Sequence, residues 1–479
     1  MIARHPYHVS WIIAGMSVGI IVGAFLAPYL SLFSSALLVC GFVLMTIACI
    51  RRDVLAIVCA LTAGILCGLW RGSGQLQAQN AFLPYINKSV ELTGIIIDDP
   101  SFDIDGDVQL KMGEVTLNGQ VVKGIVWVST TDKELLQRSD KLRISGRLSK
   151  GFGTIPVAVY RADVLEVTHL SNADVGREVR DWFGRGIRSA IQEPQASLGS
   201  GFLLGQKTQL PEKLDNDLRL LGLTHIVVAS GYNLTILIRF ARRFFVRISR
   251  FSALALSSLF LYGFVHITGF SPSMSRASLI ASLSLLAWYF GRAFHPLVLL
   301  PFSASITVLL NPTYAWGDIG WLLSFLSFVG VIIIAPLVHA YFWGDVKPRA
   351  FRQVCIETLS AQLATLPLIA YVFGQYSPLS LIANIMIVPF IPLAMLLVLI
   401  AGVAGTLIGA TGGVIGVPAE ILLRYMTAVV DRLALLPAAS AELRAGIAVT
   451  VGGYAIIVGI IFFLKRRTKY QFREYNIVE

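Results

Sequence analysis

Leu220-Leu-Gly-Leu-Thr-His225-Ile-Val-Val-Ala-Ser230-Gly231-Tyr232-Asn233-Leu-Thr235-Ile-Leu-Ile238 is a run of 19 residues without a charged side chain. As a helix it measures roughly 28 Å, just long enough to cross the hydrocarbon of a bilayer. Ser-Gly followed by Asn in its middle marks a break, whose freed backbone groups must face protein or a water-filled cavity. The alternative is a glycine packing notch with Ser230 and Asn233 bonded to neighbouring helices.

Working outward, the whole chain reads as a membrane protein. Of 479 residues, 55% are apolar and 14% charged, with a mean hydropathy of +0.71. Soluble domains carry roughly 45–50% and 25%, so a soluble globular enzyme is excluded. Apolar runs between charges give spans near 10–30, 32–50 and 54–70, and then none for over a hundred residues. A second block offers 220–238, 252–269, 273–290, 294–310, 316–337, 353–373, 379–398, 400–416 and 446–464. That makes about twelve, with 400–416 the least marked. The first run is too long for the apolar core of a cleaved signal and leads straight into two more spans.

The net charge of +11 lies in the membrane part, because residues 71–175 hold 11 basic and 13 acidic side chains. Cytoplasmic loops should be the basic ones. Arg4, Arg51-Arg52, Arg239 to Arg250, Arg292, Lys347 to Arg352 and Lys465-Arg466-Arg467 all fall on one side. Both termini then come out cytoplasmic and the insert external.

The insert carries five short Val- and Ile-rich runs: Val90–Asp98, Val108–Leu117, Val121–Ser129, Lys141–Leu148 and Val157–Val167. Asn118-Gly119 between two of them is a hairpin turn. Five strands in about 80 residues suit an OB-type barrel, or a small sandwich. Its acidic balance and few aromatics, chiefly Trp127, Phe152 and Tyr160, make a weak platform for single strands. Arg177 to Ile191 and Glu420 to Leu436 each show an apolar stripe opposite charges, which favours lying in the interface plane.

The expected fold is therefore a polytopic α-helical membrane protein of about 12 spans with an inserted small all-β OB-like domain. Its parts are three N-terminal spans at 1–70, the external β domain at 71–175 and amphipathic interfacial helices at 176–222. A channel domain at 220–464 follows, including the external amphipathic helix 420–436, and a basic cytoplasmic tail at 465–479.

A charge at the centre of a span costs about 2.5–3.5 kcal/mol on insertion scales, so intramembrane polar groups are the default functional residues. Besides His225, Ser230, Gly231 and Asn233 they are Arg276, Asp318, Glu357, Gln362 and Asn384. Arg276, beside Ser271, Ser273 and Ser275, either snorkels outwards or presents its fork to an anion. Asp318, between Trp316 and Trp321, reads as an N-terminal helix cap or as part of a path. Glu357 is too deep to face lipid, so a cavity wall or a buried partner is expected.

Absences narrow the chemistry. Gly205-Gln206-Lys207-Thr208 lacks the Gly-Lys-Ser/Thr of a phosphate loop. Cys40, Cys49, Cys59, Cys67 and Cys355 show no CxxC spacing, and His169 has no metal-ligand neighbours. No cofactor, metal site or enzymatic activity is expected, and the residues after the last span are too few for a catalytic domain.

At the level of motifs the chain resembles the ComEC family of competence proteins, membrane channels for DNA uptake. Leu203-Leu204-Gly205 with His225 to Gly231 is similar to the family's LLLG and HLLAISG. Gly269-Phe270-Ser271 with Arg276-Ala277 resembles GFS…RA, and Gly320 to Gly330, preceded by Asp318, resembles GFQLSFLAVLG. Ser360 to Pro367, Phe373 to Ser377, and Leu381 to Asn384 with Val388-Pro389 look like AQLATLPL…FGQFS…LLANLLVVP. Tyr232-Asn233 stands where many members have Leu-His, and the HxHxDH motif of the family's metallo-β-lactamase-like domain is missing.

The resemblance implies a multi-pass channel of the cell inner membrane that passes single-stranded DNA into the cytoplasm during natural transformation. His225, Ser230, Gly231, Asn233, Arg276, Asp318, Glu357, Gln362 and Asn384 would line the path. Implied partners are the lipid bilayer, a cytoplasmic helicase-like motor, an external DNA-binding competence protein and a separate nuclease if a strand is degraded. The alternative is a secondary transporter or flippase for another anionic substrate, since spans with a broken helix suit one equally.

Overall fold

The computed structural model describes residues 9–30, 32–51, 53–102, 106–132, 136–169, 174–206, 210–227, 231–269, 272–292, 295–344, 346 and 349–470. The chain opens with α1 (Val9–Leu30), α2 (Ser35–Ile50) and α3 (Val54–Asn80). The side chains of Ser34 and Asp53 start α2 and α3 by accepting the backbone N–H groups of Ala36 and Ala56, at 3.3 and 3.2 Å. Such donors have no partner within a helix, which is why Ser and Asp are favoured there.

Strands follow: β1 (Ser89–Ile96), β2 (Ser101–Phe102), β3 (Val108–Leu117), β4 (Gln120–Val121), β5 (Val126–Thr130), β6 (Lys141–Lys150), β7 (Val157–Val159) and β8 (Asp163–Thr168). The remaining helices begin with α4 (Val175–Ala190), α5 (Gln195–Leu204), α6 (Glu212–Leu220), α7 (Thr224–Val227) and α8 (Gly231–Phe245). Next come α9 (Arg250–Thr268), α10 (Pro272–Tyr289), α11 (Pro296–Leu310), α12 (Ile319–Val329), α13 (Ala335–Trp343) and α14 (Ala350–Val372). After β9 (Gln375–Tyr376) the chain ends in α15 (Ser380–Ile387), α16 (Ile391–Ile408), α17 (Gly413–Ala434), β10 (Ala441–Glu442) and α18 (Ile447–Thr468).

Contacts divide the chain into Met1–Val175 with Leu297–Leu322, and Gly176–Pro296 with Leu323–Glu479. In the first unit the strands close a small barrel. β1 pairs with β3, β3 with β5, β5 in parallel with β7, β7 with β6, and β6 back to β1. β8 lies outside this ring, alongside β6. Alternation turns Leu92, Met112, Leu117, Val126, Leu142 and Ile144 inwards, all fully buried, and Phe82 joins them from the chain after α3. Each such side chain contributes roughly 1.5–3 kcal/mol on burial. Asn118 and Gly119 both have positive φ, as a two-residue hairpin of this hand requires.

Hydrophobic burial does not hold helices together in lipid, so close approach must. α1 places glycine at 15, 19 and 23, and α3 places it at 64, 68 and 72, each four apart on one face. A Cβ on Gly19 would overlap the Leu61 carbonyl oxygen, and one on Gly64 that of Met16. Gly23 meets the Ile65 carbonyl and Gly68 that of Ile20 in the same way. Later residues of α1 meet later residues of α3, so the two helices run parallel. Arg71 of α3 donates to the carbonyls of Leu309 and Leu310 at 2.9 and 3.1 Å, closing the C-terminal end of α11.

The second unit packs around α5, all ten of whose residues are buried. Ile387, Ile391, Val398, Leu423 and Met426 of α15, α16 and α17 surround it. By contrast α18 keeps Val449, Ile456, Val458 and Phe462 about two-thirds exposed, as a lipid-facing helix would.

Several expectations need correction. Residues 220–238 are not one straight span: α6 ends at Leu220, Gly222 takes a positive φ, and helix returns at Thr224. By length and composition, seven stretches among the described residues suffice to cross a bilayer: Val9–Leu30, Val54–Tyr85, Arg250–Thr268, Ile319–Trp343, Phe351–Val372, Ser380–Ala434 and Ile447–Thr468. α2 and α11 are shorter apolar helices, and Ser380–Ala434 is a single 55-residue stretch, so these stretches neither give nor exclude the expected count of about twelve. α10 falls outside because it carries five serines and Arg276 in 18 residues. The expected boundary at 398–400 lies inside α16, which runs from the Pro389 turn to Gly409, where φ is positive. α3 continues ten residues past the expected 70, and the third and fifth expected strands each split in two. The stripe expected over 420–436 belongs to the longer α17, and its Leu423, Met426 and Val430 are buried by protein.

Candidate functional site

The interrupted segment of the second unit gathers three polar groups. The first lies where α8 begins. A Cβ on Gly231 would stand 2.7 Å from the Ala277 Cβ and 3.4 Å from Nη2 of Arg276, so glycine is what lets α8 lie this close to α10. Arg276 does not simply snorkel. Its Nε donates to the Ser324 hydroxyl at 2.7 Å, and its guanidinium lies 5.7 and 5.3 Å from the rings of Phe325 and Phe328. Cation–π contacts of this kind are worth about 0.5–2 kcal/mol and hold the guanidinium against the two rings.

The second group centres on Ser380 at the start of α15. Gln362 Nε2 of α14 donates to its hydroxyl at 3.1 Å, and Asn384 Nδ2 donates to its carbonyl at 2.8 Å and its hydroxyl at 3.3 Å. A Cβ on Gly222 would be 3.3 Å from the same hydroxyl, and Nδ1 of His225 is 2.9 Å from the Gly222 carbonyl. His225, Gln362 and Asn384, far apart in sequence, thus meet through Ser380 and Gly222. Neither of these two carries a signal on its own in an apolar run.

The third group is Glu357, whose Oε1 accepts from Gln353 Nε2 at 2.8 Å. Tyr232 and Arg239 of α8 lie within its electrostatic reach.

Two of the expected residues do other work. Asn233 is fully buried, and its Nδ2 donates to the Phe202 carbonyl at 3.0 Å, pairing an acceptor that the end of α5 leaves open. Asp318, in the first unit, accepts the Trp321 backbone N–H at 2.7 Å through Oδ1 and so caps α12. Ser230 lies outside the described residues. No group of three or more His, Cys, Asp or Glu that could hold a metal occurs among the described residues. On the barrel, Trp127, Phe152 and Tyr160 come together, with both outer rings 5.3 Å from Trp127. Lys111 lies opposite Trp127 in the β3–β5 register and is paired with Asp98 at 2.9 Å.

The model of the Competence protein family matches residues 202–468, which takes in the three groups. ComE operon protein 3 of Bacillus subtilis (strain 168) is 29% identical over 221 residues, covering 45% of this chain and 27% of that protein. The match thus spans about a quarter of the curated relative's length. No solved structure matches the chain. With a family match over more than half of its residues, including the broken helix and the polar side chains around it, the chain belongs to the ComEC family of competence proteins.

Proposed function

We propose that this protein passes single-stranded DNA inwards through the cell membrane during natural transformation and does no covalent chemistry itself. The observation that carries the reading is Arg276, a cation fixed by Ser324 and two rings beside Gly231 of α8. A polyanion crossing ~30 Å of hydrocarbon needs a wet, polar lining. Conduction also needs weak attachment in the middle. Arg276 at the outer mouth, the neutral amides of Gln362 and Asn384 beyond it, and Glu357 further along would meet both needs. In this reading Asn233 and Asp318 hold helices in place, and His225 stands beside the turn at Gly222. A transporter or flippase for another anion would also use such a break, and the uptake assay separates the two.

The barrel is read as OB-type, since a five-stranded ring with one parallel pair is the order that fold requires, and it is placed outside the cell. An external DNA-binding competence protein would deliver the strand, and a separate nuclease would remove its complement. The exposed Arg243 and Arg247 offer a dock for a cytoplasmic helicase-like motor. Both termini are placed in the cytoplasm. A cysteine introduced at Asn118 should therefore be labelled by an impermeant reagent on intact cells, and labelling only after lysis would reverse the orientation.

Arg276→Ala should lower the uptake of labelled DNA into the cytoplasm of a deletion strain by roughly tenfold, the factor that ~1.4 kcal/mol gives. Arg276→Lys should fall between, because a lysine keeps the charge but not the fork. Wild-type uptake by Arg276→Ala at normal membrane abundance would remove this residue from the path.

A further inference from the structure

We propose that the end of the second unit where α13, α14 and α18 meet is a binding site for an anionic phospholipid. The charge there is one-sided. Arg349 and Arg352 open α14, while Lys465, Arg466 and Arg467 close α18 and Lys469 follows. Among the described residues of 339–356 and 447–470 there is no Asp or Glu. The start of α14 is also the positive end of its dipole, so its arginines add to that field instead of offsetting it.

The aromatic rings at this end already carry cations. The Arg352 guanidinium lies 5.0 Å from the Trp343 ring, and His339 stacks on that ring at 5.8 Å and 29°. Arg467 lies 5.7 Å from the Phe463 ring, which meets Tyr341 at 6.3 Å and so joins α18 to α13. Rings occupied in this way hold guanidinium groups in place for phosphate oxygens and offer poor stacking surfaces to nucleic-acid bases.

Next to the charge the surface is bare hydrocarbon. Phe342 and Phe351 are exposed, and so are Ile456, Val458, Ile460 and Phe462 along α18. A ligand that answers both features has an anionic head and an apolar body. A phospholipid with a net negative head has both, and clusters of four to eight Lys/Arg at the end of a span favour such lipids. A nucleic acid brings the charge and stacking bases but no acyl chain to cover this surface.

The test uses the purified full chain in detergent, with native mass spectrometry scoring retention of phosphatidylglycerol against phosphatidylcholine of the same acyl chains. Wild type should retain the anionic lipid roughly fivefold better, about the effect of one effective cation. The Arg466→Gln/Arg467→Gln double variant changes only exposed side chains, and Arg352→Gln tests the ring-held cation separately. Both should lose most of the preference while eluting as wild type on size exclusion. Equal retention of the two lipids by wild type would overturn the proposal. So would an unchanged preference in both variants, or displacement of the lipid by equimolar oligo(dT), which would make the surface a nucleic-acid site.

Discussion

Gly231→Leu should abolish DNA uptake while the protein still reaches the membrane. The first side-chain carbon alone would stand 2.7 Å from the Ala277 Cβ, closer than two carbons can approach, and Ala277 is buried on α10. The remaining leucine carbons must then either lever α8 away from α10 or fill the space over the Arg276 fork. Overpacking of this kind costs about 1–3 kcal/mol, which a helical bundle survives but a narrow path does not. Gly231→Ala should give a partial loss, because its single added carbon must still push α8 away from the Ala277 Cβ, 2.7 Å distant, but nothing reaches over the Arg276 fork. Uptake assays with immunoblots of membrane fractions check both variants. Wild-type uptake by Gly231→Leu at normal abundance would mean that the break is a packing notch.

The second large effect is expected in the first unit. Gly19→Leu or Gly64→Leu puts side-chain atoms where a backbone carbonyl of the facing helix already lies, and backbone cannot rotate aside as a side chain can. The loss should be about 3 kcal/mol or more. It would be read as a lower denaturation midpoint in detergent and several-fold lower abundance in cells. Gly459→Leu on α18 is the matched control, since a Cβ there meets nothing within 4 Å. If Gly19→Leu and Gly459→Leu behave alike, the glycine contacts do not hold α1 on α3.

How much of this was legible in the sequence follows from what each signal depends on. The hairpin at Asn118-Gly119 is local chemistry, and it stands where the residues place it. The interruption expected at Ser230-Gly231 borders on residues 228–230, which lie outside those described, while the turn at Gly222, where φ is positive, was not foreseen. The end of α3 was misread because apolarity stops at Arg71, whereas the helix goes on. Arg71 finds its partners on Leu309 and Leu310, more than two hundred residues away. Ser380 passed unnoticed because one hydroxyl in an apolar run gains meaning only when Gln362 and Asn384 converge on it. Asp318 offered both a cap and a path residue, and the bond to Trp321 that distinguishes them is one of geometry. The glycines of α1 and α3 carry no polar signal of their own, yet in lipid the absence of a side chain is itself an adhesive.

The parallel course of α1 and α3 carries a consequence of parity. If α1 and α3 both cross the bilayer, two parallel helices enter it on the same side and leave it on the other, whatever path the 16-residue α2 takes between them. The start of α1 and the end of α3, which leads into the barrel, would then open onto opposite compartments, whichever way the protein is inserted. Orientation of this unit becomes a single binary choice, made once for α1 and inherited by the barrel. A charge reversal near the first helix would not tilt or partly expose the barrel but carry it as a whole to the other side.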